Sequence, residues 1–174
     1  MVDTVLLAAS GEISASQAEP LRRKQLIWVE AALEDALADP NVVWIVAAGH
    51  YPVFSAGGWG DSAPLLSDLE PLLARYGVDL YLSGHDHDLQ HLESGGCAYV
   101  VTGSALFWGS PGPARPDHPK LMKRMPNQGF VRVKIARCSL QVEFVDALTG
   151  ETLHSLAKRP RLAKRPRLQK RLRC

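Results

Sequence analysis

Long apolar runs are missing from this chain. Nowhere in its 174 residues do about 18 apolar residues follow one another, so no membrane-spanning helix is expected. The opening stretch MVDTVLLAASGEISASQ lacks the basic start and long apolar centre of a secretory signal peptide, and none is expected here. Cysteine is scarce: Cys97, Cys138 and Cys174 are an odd count without C-x-x-C spacing, which argues against a disulfide framework and a cysteine-based zinc site. Cys97 and Cys138 lie in apolar, strand-like runs and read as buried thiols. Acids are missing from the end of the chain. Residues 157–174 hold nine Lys or Arg and no Asp or Glu, leaving eleven basic against 18 acidic residues elsewhere. The net charge of +2 therefore hides two parts of opposite sign.

What is present has the composition of one globular domain, with 46% hydrophobic residues and enough length for a substantial core. The basic end repeats itself: LAKRPR at 156–161 recurs at 162–167 and decays into LQKRLRC. Pro160 and Pro166 interrupt any helix there and like charges repel, so residues 1–155 are expected to fold and 156–174 to form a disordered basic tail.

Along the body, strand-like and helix-like stretches alternate. Thr4 to Ala9 reads as a short strand. Pro20 opens a helix carrying Leu21, Leu26, Val29, Leu33 and Leu37 at helical spacing, stopped by Asp39-Pro40-Asn41. VVWIVAAGH is apolar on both faces, as in a central strand covered by helices. Ser62 caps a second helix with an apolar stripe from Leu65 to Tyr76, which Pro71 divides and Gly77 ends. VDLYLSGH repeats the strand-then-Gly-His pattern. CAYVVTG, GFVRVKI and SLQVEFVDALTGETLHSL read as antiparallel strands, the last two joined at Thr149-Gly150. The class is a layered α/β domain with a mixed sheet.

In α/β sheets, ligand sites lie beyond the carboxyl ends of the strands, where Gly49-His50 and Gly84-His85 both fall. In an extended segment residues two apart share a side, so His85 and His87 aim into one pocket while Asp86 points away. His50 arrives from a neighbouring strand end, bringing three imidazoles to one rim. Neutral imidazole is the commonest side-chain ligand of transition metals.

The blocks AAGHYPVFSAGGWGD, LEPLLARYGVDLYLSGHDHDLQHLE and YVVTGSA closely resemble purple acid phosphatases of the low-molecular-weight, tartrate-resistant type, within the calcineurin-like metallophosphoesterases. The resemblance runs over most of the body and corresponds to the family's C-terminal half. It implies the second half of a calcineurin-like αββα layered β-sandwich with flanking helices. It also implies metal-dependent hydrolysis of phosphate monoesters at a binuclear centre, a ferric iron with a divalent iron, zinc or manganese. Carried onto this sequence, His50 and His85 bind the divalent metal and His87 the ferric ion. Two metals about 3.5–4 Å apart lower the pKa of a bound water and stabilise both attacking and leaving oxygens. Relatives of this kind are secreted or lysosomal.

Several family features are absent. The two aspartates, tyrosine and asparagine that complete the centre come from G-D-x-G, G-D-x-x-Y and G-N-H-D blocks, and this sequence contains none of them. Asp61 in GWGD follows the G-H-Y-P block and is not counted as a ligand. Ferric iron is hard and needs anionic oxygens, so at most one metal is expected on this chain alone. A truncated reading of a longer gene, with Met1 an internal methionine, and a naturally short protein both stay open. No catalytic acid is assigned: Trp59 occupies the usual position of a histidine proposed to protonate the leaving group, and an indole cannot do so. His91, His118 and His154 match no ligand position and read as surface or strand residues. The alternative function is a non-catalytic remnant or binding module whose basic tail contacts an anionic partner such as nucleic acid, a membrane surface or an acidic protein.

Overall fold

The computed structural model of the protein describes residues 1–8, 15–105 and 113–161, and of 15–17 the backbone only. Helices α1 (Thr4–Leu7), α2 (Ala15–Ala38), α3 (Ala63–Asp68) and α4 (Glu70–Arg75) accompany eight strands. β1 (Val46–Ala48), β2 (Leu80–Ser83), β3 (Leu89–Ser94), β4 (Cys97–Thr102) and β5 (Leu121–Met125) form a mixed sheet in the order β1-β2-β4-β3-β5. β6 (Gly129–Ala136), β7 (Ser139–Asp146) and β8 (Thr152–Lys158) form an antiparallel sheet.

The period of two along each strand sorts side chains into two cores. Leu80, Ala98 and Val100 face Leu140, Val142 and Phe144 of the second sheet. Their alternates Tyr81, Cys97, Tyr99 and Val101 face Val29 and Leu33 of α2 together with Leu65, Leu69 and Leu73 of α3, α4 and the turn between them. The described layers are therefore helix, sheet, sheet, the mixed α/β architecture expected. The outer face of the second sheet carries Arg132 and Lys134 paired to Glu143 at 3.3 and 2.9 Å, and no described helix covers it.

Local expectations fare unevenly. Pro71 does divide the second helix, standing in the first turn of α4, where its missing N–H costs no hydrogen bond. Thr4 to Ala9 is not a strand: Asp3 Oδ1 accepts from Leu6 N at 3.1 Å and starts the single turn α1. Ala9 lies outside the described residues. α2 begins before Pro20, which lies inside it. VVWIVAAGH pairs only over Val46–Ala48, because Ile45 N is taken by the buried Asp79 carboxylate at 2.9 Å. That strand is also an edge rather than a centre among the described residues, bonded in the sheet to β2 alone, and Val46 is exposed. β3 and β5 were not among the expected strands. The Gly95-Gly96 pair, both at positive φ, turns β3 into β4 and is the signal for that hairpin.

The tail begins later than expected. Residues 156–158 lie in β8, Lys158 Nζ donates to Gly96 O at 2.6 Å, and Arg161 donates to Val78 O at 2.6 Å and Gly95 O at 2.9 Å. Arg161 also meets Asp79 at 3.4 Å. The boundary expected between 155 and 156 thus falls within a strand, and the first LAKRPR copy belongs to the body. The second copy and the rest of the tail lie outside the described residues. Cys97 is a buried free thiol, its pKa pushed up to about 12 by burial. Cys138, half-buried at the β6–β7 turn, is disulfide-bonded, which corrects the reading of it as a thiol. No described helix is long and apolar enough to cross a membrane.

Candidate functional site

Two neighbouring parallel strands, β1 and β2, each end in Gly-His. The ladder continues into the turns, with Gly49 N donating to Leu82 O and Gly84 N to His50 O, both at 3.0 Å. A side chain at Gly49 would collide with Thr4 and meet the Tyr81 hydroxyl at 2.7 Å, so the first turn requires glycine. That hydroxyl donates to Tyr51 O at 2.7 Å, and Tyr51 N donates to Thr4 Oγ1 at 2.8 Å. The backbone before and after His50 is therefore held from both sides.

This places the His50 and His85 rings 5.3 Å apart, edge to face at 74°. Tyr51 and Trp59 stand 4.2 and 5.2 Å from the His85 ring. His50 is exposed, while His85 and His87 are half-buried. The segment is not extended as expected: His85 has φ of 67°, and Asp86 N donates back to Gly84 O at 2.8 Å. A non-glycine residue in the left-handed region is strained, and such strain survives where the surroundings impose it. The His85 pKa is lowered by burial first, then by His50 and His87, against the opposing pull of Asp86. That lowering favours the neutral imidazole, the form that binds metals.

Asp86 does turn away from the rim, into the protein. It is fully buried, and its Oδ2 accepts from the Ser55 hydroxyl. Gly57 leaves room for it, since a Cβ there would lie 2.7 Å from Asp86 Cγ, and a Cβ on Gly103 would collide with Asp86 O. Ser55 Oγ also accepts from Gly57 N at 2.9 Å and Gln90 Nε2 at 3.0 Å. Gln90 Oε1 accepts from Ala56 N at 2.8 Å, and Gln90 Nε2 donates to Asp88 Oδ1 at 2.7 Å. Burial raises the Asp88 pKa, opposed by Gln90 and by Arg124, whose Nε lies 2.5 Å from Asp88 Oδ2. Asp61 accepts from Ser55 N at 2.8 Å, lies 3.1 Å from Arg115 and 3.2 Å from His118, and so braces its loop.

Sequence reasoning named the rim and missed this support. Ser55, Gln90, Arg115 and Arg124 come from separate loops and strands and carry no spacing that links them. Only Gly57 of SAGG, needed beside Asp86, was a visible sign.

The donors present fit part of a metal centre. His50 and His85 offer neutral nitrogens suited to a divalent ion. The nearby carboxylates are engaged elsewhere: Asp86 by Ser55, Asp88 by Gln90 and Arg124, Asp61 by Arg115 and the Ser55 amide. Among the described residues no group of three or more His, Cys, Asp or Glu is disposed to hold a metal ion. A hard trivalent ion therefore does not fit the described residues.

The family described as calcineurin-like phosphoesterase matches residues 2–89. Mouse tartrate-resistant acid phosphatase type 5 is 33% identical over 183 residues, covering 92% of this chain and 52% of its own length. The chain spans about half the length of such curated relatives. Among solved structures, a Plasmodium protein described as "GAP50 the anchor in the inner membrane complex" superposes with a TM-score of 0.77 at 24% identity, over 91% of this chain and 48% of that one. The purple acid phosphatase PPD1 of yellow lupin gives 0.68 at 18% identity, over 80% and 29%. Both likenesses are of fold.

Proposed function

This chain belongs to the calcineurin-like phosphoesterases, and on that premise we propose that it contributes the histidine side of a binuclear centre hydrolysing phosphate monoesters, as an acid phosphatase does. The observation that carries this is the pair of Gly-His turns at adjacent strand ends, which bring the His50 and His85 rings within 5.3 Å. His50 and His85 are assigned to a divalent metal and His87 to its partner ion. A divalent ion here would be held by His50 and His85 and would supply Lewis acidity toward a phosphoryl group. The His85 backbone is held by the left-handed turn, so its position is set before any ligand arrives. The Trp59 indole gives no proton to a leaving oxygen. Acid assistance from that position is absent.

Completion of the centre requires anionic oxygens from outside the described residues. The test is to measure bound metal and turnover of an aryl phosphate, first for this chain and then with the N-terminal half of a purple acid phosphatase joined to it. The chain by itself is expected to bind at most one divalent ion and to turn over no faster than its His85→Ala variant. The joined protein is expected to gain metal-dependent turnover that His87→Ala abolishes. Metal uptake indifferent to His50, His85 and His87 sinks the proposal.

A second reading, a binding module without catalysis, draws on the missing carboxylates. It is favoured if the joined protein folds, takes up no metal and still binds an anionic partner through residues 157–174.

A further inference from the structure

Helix α2 buries one stripe and exposes another. Val29 and Leu33 sit in the core, with Leu26 and Leu37 packed against it. On the opposite face Leu21, Lys24, Trp28, Ala31, Asp35 and Ala38 are all exposed. These six recur at alternating spacings of three and four residues, the pattern of a seam that packs lengthwise on another helix. Trp28 is 53% exposed, and Ile27 beside the seam is 61% exposed. The flank of the helix is tied down, which leaves the seam as a rigid face. Arg22 pairs with Asp68 of α3, and Glu30 accepts from Arg75 of α4 at 2.9 Å and from the Tyr76 hydroxyl at 3.0 Å. Lys24 and Asp35, by contrast, enter no ion pair among the described residues.

The seam is complementary to itself when one copy is turned end for end. A two-fold axis level with the Val29–Glu30 peptide lays Trp28 against the partner's Ala31, Leu21 against the partner's Ala38 and Lys24 against the partner's Asp35. Large side chains therefore meet small ones, which lets the two helices approach closely, and a cation meets an anion on each side of the axis. Every such pair occurs twice, because a two-fold interface uses the same patch on both copies. A parallel arrangement would instead set Trp28 against Trp28 and Lys24 against Lys24, repelling where the antiparallel one attracts.

We propose that the exposed seam of α2 is a homodimer interface, its occupant a second copy of this chain packed antiparallel on the same face. The seam from Leu21 to Ala38 is about 27 Å long at 1.5 Å per residue and one helix wide, less than the standard interface of about 1,600 Å². A weak dimer follows, with a dissociation constant on the order of 10 μM. The test is sedimentation equilibrium of the full 174-residue chain from about 1 to about 200 μM. The chain of 19.0 kDa is expected to approach twice that mass at the upper end. Ala31→Arg places a good helix former at an exposed position, so it should leave the helical circular dichroism and the thermal midpoint of the dilute protein unchanged while keeping it monomeric throughout. Lys24→Glu and Asp35→Lys should each weaken the dimer about tenfold or more, since each sets two like-charge pairs across the axis. The Lys24→Glu, Asp35→Lys double variant should recover most of that loss. A monomer at every concentration, an assembly that survives Ala31→Arg, or a double variant no stronger than its single parents overturns the proposal. An assembly that survives would assign the contact to another surface, such as the open edge of β1. Dimerisation only after removal of residues 162–174 would make the chain's own end the occupant and overturns it as well.

Discussion

Two pairs of histidines in this protein have their ring centroids 5.3 Å apart, His50 with His85 and His91 with His154, and they are otherwise opposites. The first stands at an open rim, edge to face, on two strand ends of one sheet. The second bridges the sheets from β3 to β8, its ring nitrogens 3.0 Å apart, with His154 stacked near Phe144. His91 is 4% exposed and its other nitrogen lies 3.3 Å from Glu93. His91 and His154 lie in strands, as expected, and His91 and His118 are also buried and bonded. A histidine buried between two sheets serves packing even with one ring nitrogen unbonded, as in His91; one at an open rim is available to a ligand.

Removing the support beneath the rim pair is the severest way to break this contrast. Gly103→Ala drives a methyl group into the backbone oxygen of Asp86, where no flexible side chain can yield. A loss of about 3 kcal/mol or more is expected in urea unfolding, with the Gly-His turn disordered in NMR spectra. An unfolding midpoint within error of the parent protein would mean that the turn moves freely.

Cutting the buried pair comes next. His91→Ala leaves a cavity and strands the His154 ring, for a cost of about 2–3 kcal/mol, whereas His50→Ala at the exposed rim should stay within about 0.5 kcal/mol. Equal losses from the two would erase the distinction between the pairs.

Acid sharpens the comparison. The pKa values of His91 and His154 are both lowered, chiefly by burial, with His154 and Lys158 adding to the effect on His91, Lys123 adding to that on His154, and Glu93 opposing it. A folded-state pKa below the unfolded 6.5 means that the unfolded chain binds the proton first. The stability these two residues contribute is therefore complete above pH 6.5 and declines as pH falls below it. Thermal midpoints measured from pH 7.5 downward should drop below 6.5, and a His91→Phe, His154→Leu double variant should flatten that part of the curve. An unchanged slope in the double variant would place the acid sensitivity elsewhere.

A small effect of opposite sign is expected at His85→Gly. Glycine adopts φ of 67° without strain, so a gain of about 1 kcal/mol should appear in the same unfolding measurement while divalent metal uptake is lost. A destabilised variant would show that the His85 ring contacts outweigh the strain.

Much of the site was legible because its signals are local. Gly49, His50, Gly84 and His85 announce themselves as strand ends followed by a tight turn, and Pro71 breaks a helix wherever that helix packs. Other features depend on distant partners. Thr4 to Ala9 read as a strand because a five-residue apolar run carries no usable period, and Asp3 settled Thr4–Leu7 as a helical turn. The reach of β1 was decided by Asp79, 34 residues further on. The first LAKRPR copy looked like low-complexity tail, but Gly95, Gly96 and Asp79 give its cations partners.

From the sequence alone came several of the helices and strands, the two Gly-His turns, the family and the lack of its acidic ligand blocks, all properties of residues near one another in the chain. Tertiary structure alone decided that His91 and His154 are a buried pair, that Asp86 is a support rather than a bystander, and that Trp59 stands open over His85. Burial and hydrogen-bond partnership are set by groups 30 to 90 residues apart, and no spacing along the chain encodes which of them meet.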